Sequence, residues 1–207
     1  MDRLLEATAR AERDHFWFRG FRRFVAPLLA EAAQRRAGAV LLDCGCGTGH
    51  NLALLRRHGR AVGIDLTWTG LAFARQRGER SVARASATSL PFADASFDVV
   101  TSFDVIYALD DEAEAAALSE MFRVLKPGGR LLINVAAMDL LKGNHSVLAS
   151  EVRRYSRDSL AGRLLAHGFH VRRITYTNAS ILPIVAGVRL LQRVSGHEES
   201  QDEIAIP

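Results

Sequence analysis

The spacing of apolar residues changes along the chain, and that change sets out the fold. Leu4, Ala7 and Ala11 fall on one side of a predicted helix over residues 2–14 that is charged on much of the rest. His15-Phe16-Trp17-Phe18 interrupts this pattern, and Phe21, Phe24, Val25, Leu28 and Leu29 return to helical spacing over residues 20–36. Pro27 marks a kink or the true start of this second helix, and Gly38 ends it. Short continuous apolar runs then take over. Strands are predicted at 39–42, 61–64, 81–85, 97–103, 130–136 and 169–177. Helices are predicted between them at 48–58, 68–77, from Asp110 or Asp111 to about Leu125, and at 157–167, with a turn at Pro127-Gly128-Gly129. Strands alternating with helices imply parallel βαβ units and a sheet covered on both faces.

With 207 residues the chain is long enough for one domain with a core of its own. It divides into an N-terminal helical lid (1–37), a core (38–178) and a C-terminal helix and tail (179–207). The composition, 48% hydrophobic and 24% charged, is globular rather than disordered. Asp2, Arg3 and Glu6 at the start exclude a signal peptide, and no apolar run is long enough to span a bilayer, so a cytoplasmic location is expected. Cys44 and Cys46 stand one residue apart, without the further pair that a disulfide framework or a zinc site would need, so no metal is expected.

The net charge is +4, and of 27 basic residues only Lys126 and Lys142 are lysines. The densest group, Arg153, Arg154, Arg157, Arg163, Arg172 and Arg173, is broken by Asp158, with Glu151 just ahead of it. A basic stripe interleaved with aromatics is absent, which argues against a nucleic-acid partner.

The chemistry concentrates in Asp43-Cys44-Gly45-Cys46-Gly47-Thr48-Gly49. Here a strand runs into a turn with glycines at alternate positions and then a helix, which lets a ligand approach the main chain closely. Asp65 ends the next strand about twenty residues later, where an acid in a doubly wound fold hydrogen-bonds a ribose hydroxyl pair. The glycine spacing differs from the G-x-G-x-x-G of dinucleotide sites. A carboxylate at Asp43 opposes a phosphate and suits an ammonium group.

These residues resemble motif I of the class I S-adenosylmethionine-dependent methyltransferases, of the small-molecule type. Three further segments are similar: Val62-Gly63-Ile64-Asp65, Leu90-Pro91-Phe92 with Ser96-Phe97-Asp98-Val99-Val100, and Leu125-Lys126-Pro127-Gly128-Gly129-Arg130-Leu131. The resemblance covers about residues 38–177. It implies a Rossmann-like α/β sheet with helices on both faces, and S-adenosyl-L-methionine as cofactor with S-adenosyl-L-homocysteine as product. The cofactor-binding residues it implies are Asp43, Gly45, Cys46, Gly47, Gly49, Asp65, Leu66, Ser86, Ala87, Thr88, Phe103 and Asp104. Relatives commonly carry an acid before Leu-Pro-Phe for the adenine amino group, whereas Ser86-Ala87-Thr88 offers hydroxyl and backbone groups. The fold normally ends on a seventh, antiparallel strand, and Ile204-Ala205-Ile206 is too short for one, so that strand is doubtful or missing.

The aromatic and arginine-rich segment 15–23 offers Trp17, Arg19 and Arg22 as acceptor-binding residues, or simply plugs the helices onto the domain. After the fifth strand, His145, Glu151 and Tyr155 are the candidate bases and Arg154 a further acceptor contact, with packing as the alternative for Tyr155. The expected reaction is methyl transfer to a small-molecule, lipid or saccharide acceptor by in-line displacement. The competing expectations are a non-catalytic cofactor-binding or scaffold protein and an RNA methyltransferase. The apolar stretch 181–191 docks on the domain or rests on a membrane or lipid substrate.

Overall fold

The computed structural model describes residues 2–34, 38–137 and 151–177. Five parallel strands form one sheet in the order β3-β2-β1-β4-β5. They are β1 (Val40–Cys44), β2 (Arg60–Asp65), β3 (Val82–Arg84), β4 (Phe97–Phe103) and β5 (Leu125–Asn134). The helices are α1 (Asp2–Ala11), α2 (Phe16–Ala33), α3 (Leu52–Leu55), α4 (Trp68–Gln76), α5 (Asp111–Val124) and α6 (Arg157–Ala166). A 3₁₀ turn, Ile106–Ala108, follows β4.

Alternation along the strands explains the layers. Leu41 and Val99 face one core cluster with Val25 and Leu29 of α2, the α3 leucines and Leu71 of α4. Leu42 and Val100 face a second cluster with Leu118 and Met121 of α5 and Leu160 and Leu164 of α6. Cys44 belongs to the second cluster and Cys46 to the first, so the two free, buried thiols lie on opposite sides of the sheet.

Several boundaries depart from the sequence pattern. The aromatic run does not interrupt the helices. His15 is extended and its Nδ1 accepts from the Trp17 amide at 3.3 Å, so α2 starts at Phe16 and takes the aromatics into its first turn. The helix expected over 48–58 contracts to the four residues of α3, because the turn before it occupies the chain through Asn51. Strand β5 begins at Leu125 rather than 130: Phe97 pairs with Leu125 and Val99 with Arg130, so Pro127-Gly128-Gly129 forms a bulge within the strand. The sixth strand expected at 169–177 is absent. Those residues are described and carry no ladder, although Phe169 still packs edge-to-face on Phe122 of α5, with ring centroids 5.2 Å apart. Of the two helices expected as a lid, α2 is a core helix, with Leu29 fully buried, and α1 lies against α4 and the glycine turn.

Candidate functional site

Because all five strands are parallel, their carboxyl ends share one edge of the sheet. The strand order reverses between β1 and β4, and the crevice at such a switch point is where open α/β sheets bind ligands. Asp43 near the end of β1 pairs in register with Gly63 and Thr101, Asp65 ends β2, and Phe103 pairs with Asn134 at the ends of β4 and β5.

The turn after β1 is fastened to β2. The amides of Gly45 and Cys46 both donate to the Ile64 carbonyl at 2.8 Å. The Gly47 amide donates to Asp65 Oδ2 at 2.8 Å, and Asp65 Oδ1 accepts from the Thr67 amide and hydroxyl. Asp65 therefore anchors the turn before it meets any ligand. Gly45 has φ +83°, and a Cβ there would lie 2.2 Å from Val105 Cγ2. Gly47 has φ +49°, and a Cβ there would find only Leu5 Cδ2 of α1, at 3.8 Å. The two glycines do different things: Gly45 lets β1 and the loop after β4 come together, and Gly47 keeps its face open. Gly49 faces Ala74 and Glu79, so it serves the packing of the turn on α4, and the Cys46 side chain points into the core against Gly63.

Asp43 is buried under this turn, at 1% exposure. Its Oδ1 accepts from the Thr101 hydroxyl at 2.7 Å, and its Oδ2 is buried with no partner. Burial pushes its pKa up to about 6, against the Thr101 hydrogen bond that lowers it. An acid that keeps an orphaned oxygen is poised for a cationic or donor group.

Around the rim, Ser86 and Thr88 share a 2.7 Å hydrogen bond after β3, and Leu66 is 55% exposed beside Asp65. Phe103 meets Phe21 of α2 edge-to-face, with centroids 5.1 Å apart, which brings the first turns of α2 toward the end of β4. Trp17 is 46% exposed on that part of α2. Asp104 is left-handed (φ 61°) and accepts from Asn134 Nδ2 at 2.7 Å; a non-glycine residue in this conformation is often part of a functional site. Tyr107, half-buried in the next turn, was not singled out from the sequence. Burial and the Asp104 and Glu151 carboxylates push its phenol pKa up, so it stays protonated.

The segment 151–155 straps across this turn, since the amides of Val152 and Arg153 both donate to the Tyr107 carbonyl. Glu151 and Arg154 pair through two hydrogen bonds of 2.9 and 3.1 Å, and Arg154 also donates to the Ala137 carbonyl. Tyr155 is 3% exposed, and its hydroxyl lies 3.5 Å from the Ile106 carbonyl and beside the Glu114 carboxylate. Tyr155, a candidate base by sequence, is thus an enclosed side chain in the position of a packing residue. Arg153 turns inward to buried Glu114. His145 lies outside the described residues.

Sequence reasoning also missed Glu12. It is buried, accepts from the Thr48 hydroxyl and pairs with Arg77, tying α1 to the glycine turn and α4. No local signal distinguishes it, because only the fold brings residues 12, 48 and 77 together. Among the described residues no group of three His, Cys, Asp or Glu side chains could hold a metal, and no helix is long and apolar enough to cross a membrane.

Comparison with known proteins agrees with this architecture. Residues 42–133 match the family model described as a methyltransferase domain. A probable S-adenosylmethionine-dependent methyltransferase of Mycolicibacterium smegmatis is 37% identical over 123 residues, 58% of this chain and 46% of that protein. An O-methyltransferase of Aspergillus sclerotiorum is 32% identical over 163 residues, 72% of this chain and 61% of that protein. The chain thus spans less than two thirds of the length of either relative. A crystal structure from Thermotoga maritima, described as a SAM-dependent methyltransferase and possible histamine N-methyltransferase, superimposes with a TM-score of 0.63 at 25% identity. That match covers 82% of this chain and 80% of the other.

Proposed function

We propose that the chain, whose residues 42–133 match the methyltransferase-domain family model, is a class I S-adenosylmethionine-dependent methyltransferase that transfers a methyl group to a small-molecule acceptor. The observation that carries this is the buried, unpartnered Oδ2 of Asp43 beneath an open glycine turn. The donor set fits the cofactor. The orphaned carboxylate oxygen suits the methionyl ammonium, and the open face of Gly47 leaves room for the methionyl chain beside the main chain. Asp65 would take the ribose hydroxyls with the acceptor capacity its three present bonds leave free. Leu66 and the Ser86-Ala87-Thr88 stretch would flank the adenine, and Phe103 and Asp104 the methionyl part.

When bound, S-adenosylmethionine supplies an activated methyl on a sulfonium, so the protein's work is orientation and exclusion of water. Trp17, Arg19 and Arg154 would orient the acceptor at the crevice mouth, with the arginines directed at anionic or hydroxyl groups, whereas Arg22, a further candidate by sequence, reaches the Arg13 carbonyl instead. A proton that must leave would go to Glu151 or His145. The named relatives include both oxygen and possible nitrogen methylation, so family likeness leaves the acceptor atom open.

Isothermal titration of the whole chain with S-adenosylmethionine, followed by labelled-methyl transfer to a panel of phenols, amines and carboxylic acids, tests the proposal. Binding with transfer supports it. Binding without transfer to any acceptor favours a scaffold role, and no binding refutes the site.

A further inference from the structure

The outer side of the glycine turn borders a cavity of about 500 Å3 lined by Ala9, Arg10, Arg13, His50 and Arg77. We propose that this cavity is an anion site that takes the phosphate or pyrophosphate group of a small molecule. It does not depend on the methyl-transfer reading.

The cations converge from separate parts of the chain. Arg10 ends α1, Arg13 lies in the turn after it, His50 follows the glycine turn and Arg77 caps α4. Arg22 of α2 joins them, its Nη2 3.5 Å from the Arg13 carbonyl. Among the described residues no carboxylate lines the cavity. The nearest acids are committed: Glu12 to Thr48 and Arg77, and Asp14 to Arg13 Nε at 3.2 Å. Arg77 is held in place by the Ala9 carbonyl at 2.9 Å and the Thr48 carbonyl at 3.3 Å. Arg10 uses only its Nε, on the Glu6 carbonyl, so its terminal nitrogens have no partner among the described residues.

This gathering of like charge has a visible cost. Burial and the Arg22 and Arg77 guanidiniums hold the His50 pKa below its usual range against the pull of Glu12. Burial, Arg19 and Arg77 lower that of Arg22, again against Glu12. A bound anion relieves that repulsion, and the convergence of these cations on one cleft gives it partners. Guanidinium forks match pairs of phosphate oxygens. A half-open cleft of this size fits a compact group on a small molecule, whereas a nucleic-acid strand needs an extended basic track.

The test is titration of the full chain with pyrophosphate at fixed ionic strength. Saturable binding is expected, at least fivefold weaker in Arg10→Gln and in Arg13→Gln. Sulfate, whose charge is constant between pH 6 and 8, is expected to bind more tightly as pH falls, because a bound dianion favours the protonated form of His50. His50 faces Glu12, Arg22 and Arg77, and Arg10 and Arg13 complete the lining; His50→Asn should flatten this pH dependence. Absence of saturable pyrophosphate binding, or unchanged binding in both arginine variants, overturns the proposal. Phosphatidylglycerol vesicles form the second arm. Vesicle binding that is lost in the same variants, with no response to pyrophosphate, assigns the arginines to a membrane surface and also overturns it.

Discussion

The hydroxyl of Thr101 donates to Asp43 Oδ1 at 2.7 Å and leaves Oδ2 of the same carboxylate buried and alone. One neighbour on β4 thus orients the acid under the glycine turn without satisfying it. The carboxyl is left with one hydrogen bond and one bare oxygen, and the effect on its titration is measurable in the free protein.

Asp43 makes cofactor affinity depend on pH. With its pKa raised to about 6, the group is neutral below that value and a carboxylate above it. Affinity for S-adenosylmethionine should therefore rise between pH 5 and 7.5 with a midpoint near 6 in calorimetric titrations, and Asp43→Asn should flatten the profile. Stability runs the other way. Between about pH 4 and 6 the folded chain keeps a proton that the unfolded chain has released, so this group's contribution falls as pH rises through that window. The loss amounts to roughly 3 kcal/mol at about 1.4 kcal/mol per pKa unit. Asp43→Asn should then melt a few degrees higher than the parent at pH 7.5 while binding cofactor at least tenfold more weakly.

Asp65 binds its own turn before any ligand, so its removal should act twice. Asp65→Ala leaves the Gly47 amide without its acceptor and takes away the ribose partner. The expected result is a loss of about 2 kcal/mol or more in cofactor affinity, with a lowered melting temperature. Asp65→Asn keeps one acceptor oxygen but turns an NH2 against the donors at the other, so it should restore only part of the stability and not the affinity. Paired calorimetry and thermal melts separate the two effects, and unchanged affinity in both variants would remove Asp65 from the site.

The strand pattern of β1, β2 and β4 was legible because continuous apolar runs next to glycine and aspartate leave few alternatives. The acid–glycine constellation was legible because its spacing is local. The contacts that pin it were not. Glu12, Thr48 and Arg77 meet through tertiary packing, and Thr101 pairs with an acid 58 positions away. The start of α2 was misplaced because His15 caps the helix through a ring nitrogen, whereas an aromatic cluster reads as a break. The strand expected at 169–177 failed for a different reason: alternating apolar residues there serve packing on α5 without a ladder partner.

Gly45 and Gly47 should respond differently to alanine. Gly45→Ala drives a methyl against Val105 at positive φ and should destabilise by about 3 kcal/mol or more, because backbone strain and overpacking add. Gly47→Ala meets only the far end of Leu5 and should cost about 1 kcal/mol for its backbone conformation. Its methyl projects into the open face, so cofactor affinity should fall well beyond what the stability change explains. Denaturant melts beside titrations decide it; equal affinity in Gly47→Ala and parent would mean that the open face is not where the ligand lies.

Glu12 should prove a clamp for α1. Glu12→Ala leaves Arg77 without its buried partner and is expected to cost about 3 kcal/mol, the usual loss when one member of a buried pair is removed. Limited proteolysis should then cut first within residues 2–15, with the sheet still resistant. A uniform loss of protection would instead place Glu12 in the general core.

The segment 153–155 distinguishes packing from chemistry. Arg153 and Arg163 both hold Oε2 of Glu114, a carboxylate with no exposed surface. Arg153→Ala strands much of that charge and should destabilise by about 3 kcal/mol or more. Tyr155 is enclosed, and its hydroxyl sits 3.5 Å from the Ile106 carbonyl, too long for a strong bond, and beside a Glu114 carboxylate that two arginines already hold. Tyr155→Phe should therefore cost less than about 1 kcal/mol and leave turnover unchanged once corrected for folded protein. Arg154→Ala should behave differently from both, because its pairing with Glu151 lies at the strap over the crevice turn. It should raise the acceptor's KM with kcat little altered and cofactor affinity intact. A fall in kcat for Tyr155→Phe at full folding would return that phenol to the reaction. Equal losses of KM and kcat in Arg154→Ala, matched by a lower melting temperature, would make the pair a packing element alone.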